Sequence, residues 1–245
     1  MTWCEAPGYW LGHEVLQNYG CRIASGLLVT IELVALSTTL GCAIALCIAL
    51  IRLKGPAWAR GAMAAYTTFF RGTPLLCQLF LIYYGLGSFR PFWQSVDLWW
   101  FFREPFYCAL LAFTINTAAY QAEIFRGAIA SLPRGQIEAA KALGLSRFQL
   151  LRLVVMPQAL IVALRPLGNE LITTIKVSAI ASLVTLFDLM GATKLAFARS
   201  FDLSIYLYAA AIYLALVEII RRVLALIEAH LTRHSATDNP HARAL

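Results

Sequence analysis

Few positions in this chain can do chemistry, because charged residues make up only 13% of it and apolar residues 60%. The most conspicuous are Asn169, Glu170, Thr173, Thr174 and Lys176, which sit together inside the otherwise apolar stretch Pro157 to Leu186. In hydrocarbon each ionised group would cost about 2.5–3.5 kcal/mol on insertion scales. Two of them facing lipid would cost about 5–7 kcal/mol, so both are expected to face protein or a watery cavity. Glu170 and Lys176 lie six positions apart, about 120° from eclipse on a helix, which disfavours a same-helix ion pair. Asn169, Glu170, Thr173 and Thr174 share one broad face. Such a face can meet the cationic end of a polar substrate, with Glu170 as the counter-charge. It can equally serve as a structural network at an interface between copies. Asn116 and Tyr120, one helical turn apart, are candidates for the same pathway.

A second constellation is Ser131-Leu-Pro-Arg-Gly-Gln-Ile-Glu-Ala-Ala-Lys-Ala-Leu-Gly-Leu-Ser-Arg-Phe-Gln. Ile137, Ala140 and Leu143 recur at helical spacing, Pro133 suits a first turn, and Gly144 suits a left-handed C-terminal stop. Ser146 with Gln149 reads as a capping box that opens the next helix. The spacing therefore predicts helix, glycine turn, helix: a rigid knob that either fits a groove on a partner protein or lies on lipid.

The elements that must hold these residues are membrane spans. The mean hydropathy of +0.69 over 245 residues excludes a soluble enzyme, a disordered chain and a nucleic-acid binder. A span needs about 20 apolar residues. The sequence predicts five: Ile23 to Ile51, Gly72 to Phe89 with its preceding turn, Pro105 to Ala122, Pro157 to Leu186, and Leu203 to about Ile227. Lys and Arg distribute fourteen to one set of loops and five to the other, with Lys176 inside a span. By the positive-inside rule the N-terminus lies outside and the C-terminus in the cytoplasm, so the net charge of +7 reflects topology. Trp93, Trp99, Trp100, Phe101 and Phe102 suit the outer headgroup zone as a short amphipathic segment.

The first twenty residues contain no Lys or Arg, so no cleavable signal is expected and the first span must also direct insertion. The organisation expected is an outer segment over 1–22, a permease domain over 23–230 with the knob at about 131–150, and a frayed cytoplasmic tail over 231–245. That tail carries His234, Asp238, Pro240 and His241 without metal-ligand spacing. Cys4, Cys21, Cys42, Cys47, Cys77 and Cys108 form no C-x-x-C pair, so neither a disulfide nor a metal site is expected. Arg71 reads as a topological anchor, and Glu123 with Arg126 as a local (i, i+3) pair. Glu32 reads as reaching toward the interface. The chain lacks a G-x-x-x-x-G-K-[ST] phosphate loop, so any energy from ATP must come from another subunit.

Glu138-Ala139-Ala140, then Gly144, then Val154-x-Met156-Pro157, at fixed spacing, resembles the EAA signature of ABC importer permeases. Phe70-Arg-Gly-Thr-Pro-Leu-Leu76 with Gln78, and Asn116-Thr-Ala-Ala-Tyr-Gln-Ala-Glu-Ile-Phe-Arg-Gly127, resemble polar amino acid permeases, closest to the histidine-permease branch that takes basic amino acids and the opines octopine and nopaline. The resemblance covers roughly residues 20 to 230. It implies an all-α type I importer permease in a bacterial inner membrane, with no catalytic or metal residues and no cofactor of its own. ATP with magnesium would sit on a partner ABC ATPase. A second permease, identical or a sister chain, and a periplasmic binding protein would complete the system. Gln136, Glu138, Ala139, Ala140, Leu143 and Gly144 would form the coupling helix that docks on the ATPase. Asn169, Glu170, Thr173 and Lys176, with Asn116 and Tyr120, would line the substrate path. Related basic amino acid permeases often carry an acidic residue after the Lys, where this chain has Val177. A substrate with an extra carboxylate, such as an opine, suits that difference. The rival reading is an ion-coupled secondary transporter with Glu170 as its coupling site. Five spans without an inverted repeat disfavour it. A membrane-embedded enzyme is disfavoured by the lack of paired His, Cys or acid clusters.

Overall fold

The computed structural model describes residues 14–232, and among these the chain is helical with no strand. The expected segment before residue 14 and the tail residues His234, Asp238, Pro240 and His241 lie outside the described residues.

Helix α1 (Glu14–Lys54) is followed by α2 (Ala57–Gly72) and α3 (Leu75–Phe80), which continues as a π-helical turn over Leu81–Leu86. Two short helices come next, α4 (Arg90–Ser95) and α5 (Trp99–Phe102), then α6 (Pro105–Ala130) and α7 (Arg134–Ala142). Helix α8 (Arg147–Gln149) passes through a π-helical stretch, Leu150–Val155, into α9 (Met156–Val177), which tightens to a 3₁₀ helix over Ser178–Val184. Helices α10 (Leu189–Ser200) and α11 (Ser204–Thr232) complete the described chain.

The stretches Gln17–Lys54 and Arg147–Val184 are long and apolar enough to cross a membrane. At 41 residues α1 reaches about 60 Å, roughly twice a hydrocarbon core of about 30 Å. The segment expected as a second span differs from a single rod. Its apolar helix covers only Leu75–Leu86, because the chain breaks at Thr73–Pro74. Proline disfavours α-helical dihedrals at the residue before it, and here Thr73 is extended at φ −115°, ψ 145°.

Helix α6 is the centre of the bundle. Ala109, Ala112, Ala118, Ala119 and Ala122 are buried along it, and such small residues let neighbouring backbones approach closely. Helix α1 lies along it, and a Cβ at Gly41 would stand 3.3 Å from the Ala118 nitrogen. Helices α2 and α9 flank α6, and α11 packs on α9, where Gly168 meets Leu224. Helix α10 seats on α1 at Gly26, and its N-cap, Asp188, accepts from the Gly191 amide at 2.8 Å.

The expected outer aromatic segment takes the form of α4 and α5. Trp93 stacks on Phe102 with ring centroids 4.0 Å apart and donates its indole N–H to the Leu86 carbonyl at 2.7 Å. Phe92, Leu98 and Trp100 remain exposed. Cys21 is disulfide-bonded, which corrects the expectation from spacing alone. Spacing reveals local Cys pairs only and is blind to a bridge made by the fold. Cys42, Cys47, Cys77 and Cys108 are free.

Candidate functional site

The break at Pro74 brings the end of α2 and the start of α3 to the middle of α6, opposite the second half of α9. A cavity of about 420 Å³ lies there, within the usual range of about 300–1,000 Å³ for small-molecule sites. The break contributes Arg71, Gly72 and Thr73. Helix α6 contributes Phe113, Asn116, Thr117 and Tyr120, and α9 contributes Glu170, Thr173, Thr174 and Val177. One guanidinium and one carboxylate from distant parts of the sequence therefore line one mostly apolar chamber. The Arg71 guanidinium lies 5.3 Å from the centroid of the Tyr120 ring, a cation–π contact. The Tyr120 hydroxyl donates to the Arg71 carbonyl at 3.3 Å. Thr173 and Thr174 donate back to the carbonyls of Asn169 and Glu170, each at 2.9 Å, so these hydroxyls are tied to their own helix.

Four of the expected pathway residues, Asn116, Tyr120, Glu170 and Thr173, thus meet in one chamber. Two do not line it. Asn169 faces a separate groove between α9 and α11 with Arg165, Gly168, Arg221 and Glu228. Lys176 is exposed on α9 outside the cavity lining. Successive helix positions diverge by about 100°, so Asn169 beside Glu170 points elsewhere. Arg71, read from the sequence as a topological anchor, also lines this cavity. Its signal was Pro74 three positions later, which stops α2 at this level.

A second cavity of about 430 Å³ shares Arg71 and Tyr120 with the first. It continues along Glu123, Gly127 and Ser131 of α6 and its C-terminal turn, and Val162 and Pro166 of α9, toward the knob. Its rim holds the expected pair of Arg126 Nε with Glu123 Oε2, at 2.8 Å. Glu123 also pairs with Arg52 of α1. Thr67 of α2 accepts from Arg52 at 3.0 Å and donates to Glu123 at 3.1 Å. One carboxylate thereby ties three helices together. Glu32 is exposed on α1.

The knob is built as its sequence dictates. Gly144 takes φ +74°. Ser146 Oγ accepts from the Gln149 amide at 3.3 Å, while Gln149 Oε1 accepts from the Ser146 amide at 2.9 Å. Gln136, Glu138, Ala139, Leu143 and Gly144 are exposed, and Leu143 reaches 83%. Ala140 differs from the rest. It is 5% exposed, in a cluster with Ala128, Leu132, Leu150 and Val155. The helical period turns Ala139 outward and Ala140 inward, so Ala140 anchors the knob rather than offering a contact.

A helical bundle with long apolar helices, a cavity lined by opposite charges and a rigid exposed knob fits the class of membrane permease subunits, to which the family match assigns the chain. The chain belongs to the family of binding-protein-dependent transport system inner membrane components, whose family model matches residues 37–233. It is 38% identical over 224 residues to the nopaline transport system permease protein NocM of Agrobacterium fabrum, covering 91% of this chain and 90% of that one. It is 39% identical to the octopine transport system permease protein OccM of Rhizobium radiobacter, over 84% of each chain. Identity to the arginine ABC transporter permease protein ArtM of Haemophilus influenzae is 36%, over 87% of this chain and 94% of that one. Among solved structures, an amino acid ABC transporter crystallised with histidines superposes with a TM-score of 0.77 at 34% identity, over 87% of this chain and 95% of that one. The inward-facing MetNI methionine transporter shares the fold at a TM-score of 0.71 and 22% identity, over 86% of this chain and 97% of that one.

Proposed function

We propose that this permease subunit carries a basic amino acid, or an opine built on one, across a bacterial inner membrane, and that the chamber between α2, α6 and α9 is its substrate station. The observation that carries this reading is the presence of Arg71 and Glu170 in one cavity wall. A zwitterionic or cationic solute needs both. Arg71 meets a carboxylate through its planar fork, and Glu170 meets the ammonium or guanidinium end. Opposite charges on the wall of one cavity select for substrates that carry the complementary charges. The relatives that transport nopaline, octopine and arginine support this class. Val177 lines the same cavity where related basic amino acid permeases often carry an acid. With one carboxylate fewer, the chamber accommodates the extra carboxylate of an opine.

The chain supplies a path and no motor. Its energy comes from a partner ATPase holding ATP and magnesium, docked on α7 at Gln136, Glu138, Ala139 and Leu143. Family membership implies that partner, a second permease and a substrate-binding protein. The buried Ala140 makes α7 move as one body with the ends of α6 and α9, so closure of the motor tilts the helices that line the chamber. Five spans, an N-terminus outside and a C-terminus in the cytoplasm fit this arrangement. The disulfide at Cys21, near the start of α1, supports the orientation, because disulfides persist in the oxidising periplasm and not in the cytosol.

Uptake of radiolabelled L-arginine and octopine into proteoliposomes carrying the permease, its ATPase and its binding protein tests the reading. ATP-dependent accumulation of either solute, abolished by Glu170→Gln with the ATPase still bound, is expected. Unchanged uptake by that variant contradicts the site.

A further inference from the structure

Pro74 leaves one carbonyl in the bundle without a backbone donor. In a continuous helix the Phe70 carbonyl would accept from the amide of residue 74, and proline has none. Away from water such a carbonyl must find a substitute. Two side-chain amides provide it. Nε2 of Gln78 and Nδ2 of Asn116 each donate to the Phe70 oxygen at 3.0 Å. Asn116 Nδ2 also donates to Oε1 of Gln78 at 3.0 Å. Gln78 Nε2 further reaches the Thr73 carbonyl at 3.1 Å and the Thr73 hydroxyl at 2.8 Å. The Thr73 hydroxyl itself donates to the Phe69 carbonyl at 2.9 Å. Gln78 is 4% exposed and Asn116 8%, too enclosed for water to take over these bonds. The end of α2, the first turn of α3 and the middle of α6 therefore meet at a single oxygen atom, and Arg71 is the next residue along the chain.

We propose that Gln78 and Asn116 are positioning residues of the transport site, fixing the helix break at one geometry and so holding Arg71 against the cavity to receive the substrate carboxylate. This rests on the chamber being the substrate station. It also assigns Asn116 a role different from direct substrate contact, since its amide is committed to the break. Because Asn116 stands on α6, which runs on toward the knob, a tilt of α6 is passed to Arg71 through the same oxygen.

The test compares binding of L-arginine and of agmatine, which is arginine without its carboxylate, to the purified permease–ATPase complex without its binding protein. The wild-type complex prefers L-arginine by about ten-fold or more, as one charge-assisted carboxylate contact provides, and R71Q abolishes that preference. Q78M and N116L keep side-chain volume and remove the amides. Each is expected to bring the preference to within about three-fold of parity, with L-arginine affinity falling more than agmatine affinity and ATPase association retained. Q78N and N116Q, measured alongside, keep an amide at altered reach and provide milder variants at each position should the apolar ones fail to assemble. A preference that survives in the amide variants but collapses in R71Q overturns the positioning role. Equal loss of both ligands in the amide variants marks a merely structural role and also overturns it. A preference that survives in R71Q, or a wild-type complex that binds no L-arginine, contradicts instead the substrate station on which the proposal rests.

Discussion

A carboxylate and a guanidinium in one apolar chamber do more than either alone, since each lowers the cost of keeping the other away from bulk water. A solute that bridges them gains both contacts at once. Glu170→Gln keeps the shape and removes the charge. A hydrogen bond to a charged group is worth about 1.5–3 kcal/mol, so uptake of a cationic solute is expected to fall at least about ten-fold, read as initial rate in proteoliposomes. A separate residue-scale prediction concerns packing. A Cβ at Gly26 would stand 2.6 Å from the Asp188 carbonyl oxygen, backbone that cannot give way. Gly26→Ala is expected to cost about 1–3 kcal/mol and to lower the melting temperature of the detergent-solubilised protein. Glu170 was legible in the sequence because a charge inside an apolar run demands an explanation. Arg71 was not, because its neighbours in space come from α6 and α9, far along the chain. Lys176 satisfies the same criterion, and Asn169 the weaker one of a polar group in an apolar run, yet both lie outside the cavity. A lone helix shows that it has polar faces and not which of them its neighbours enclose.

Two elements respond to substitution in opposite ways, because one is fixed locally and the other by the bundle. The knob between α7 and α8 depends on the left-handed turn at Gly144, where a β-branched residue is strongly strained. Gly144→Val is expected to displace α7 and to appear as loss of ATPase co-purification or as hydrolysis that no longer responds to the binding protein. Ser146→Ala removes only a cap, worth about 1 kcal/mol, and is expected to weaken that association without abolishing it. The turn and the cap are legible in the sequence, since glycine stops and capping boxes act over three or four residues. The break between α2 and α3 falls inside the stretch Gly72 to Phe89, whose lack of charge suggests a single span. Its carbonyls are satisfied by Asn116 and Tyr120 of α6, and a break is stable in a membrane only where such partners exist. Pro74→Ala restores the missing N–H, and the expected result is a straighter joint that withdraws Arg71 and abolishes uptake, while the assembled complex survives.

At the scale of the whole molecule the chain is a scaffold around α6, with the chamber at mid-height and the knob at one end. A cluster that includes Ala45 and Ala49 of α1, Ala122 and Phe125 of α6, Ala140 of α7, Leu150, and Ala159 of α9 packs the knob onto the adjoining ends of the long helices. Orientation is testable without transport. In intact cells Cys21 is expected to react with a membrane-impermeant thiol reagent only after external reduction, and an introduced Leu143→Cys only after the membrane is permeabilised. The all-helical class was legible from the apolar runs, whereas of the two charges expected to turn inward only Glu170 lines the cavity and Lys176 is exposed. The cavity was not legible, because it forms only where α2, α6 and α9, distant in sequence, converge. The central claim is that this subunit carries the path while another supplies the work. Its most direct measurement is solute uptake into proteoliposomes containing this permease with and without its ATPase. The account predicts accumulation of L-arginine or octopine only when ATPase, ATP and binding protein are all present, halted by vanadate. Uptake by the permease alone, driven by a proton gradient and indifferent to vanadate, would contradict it.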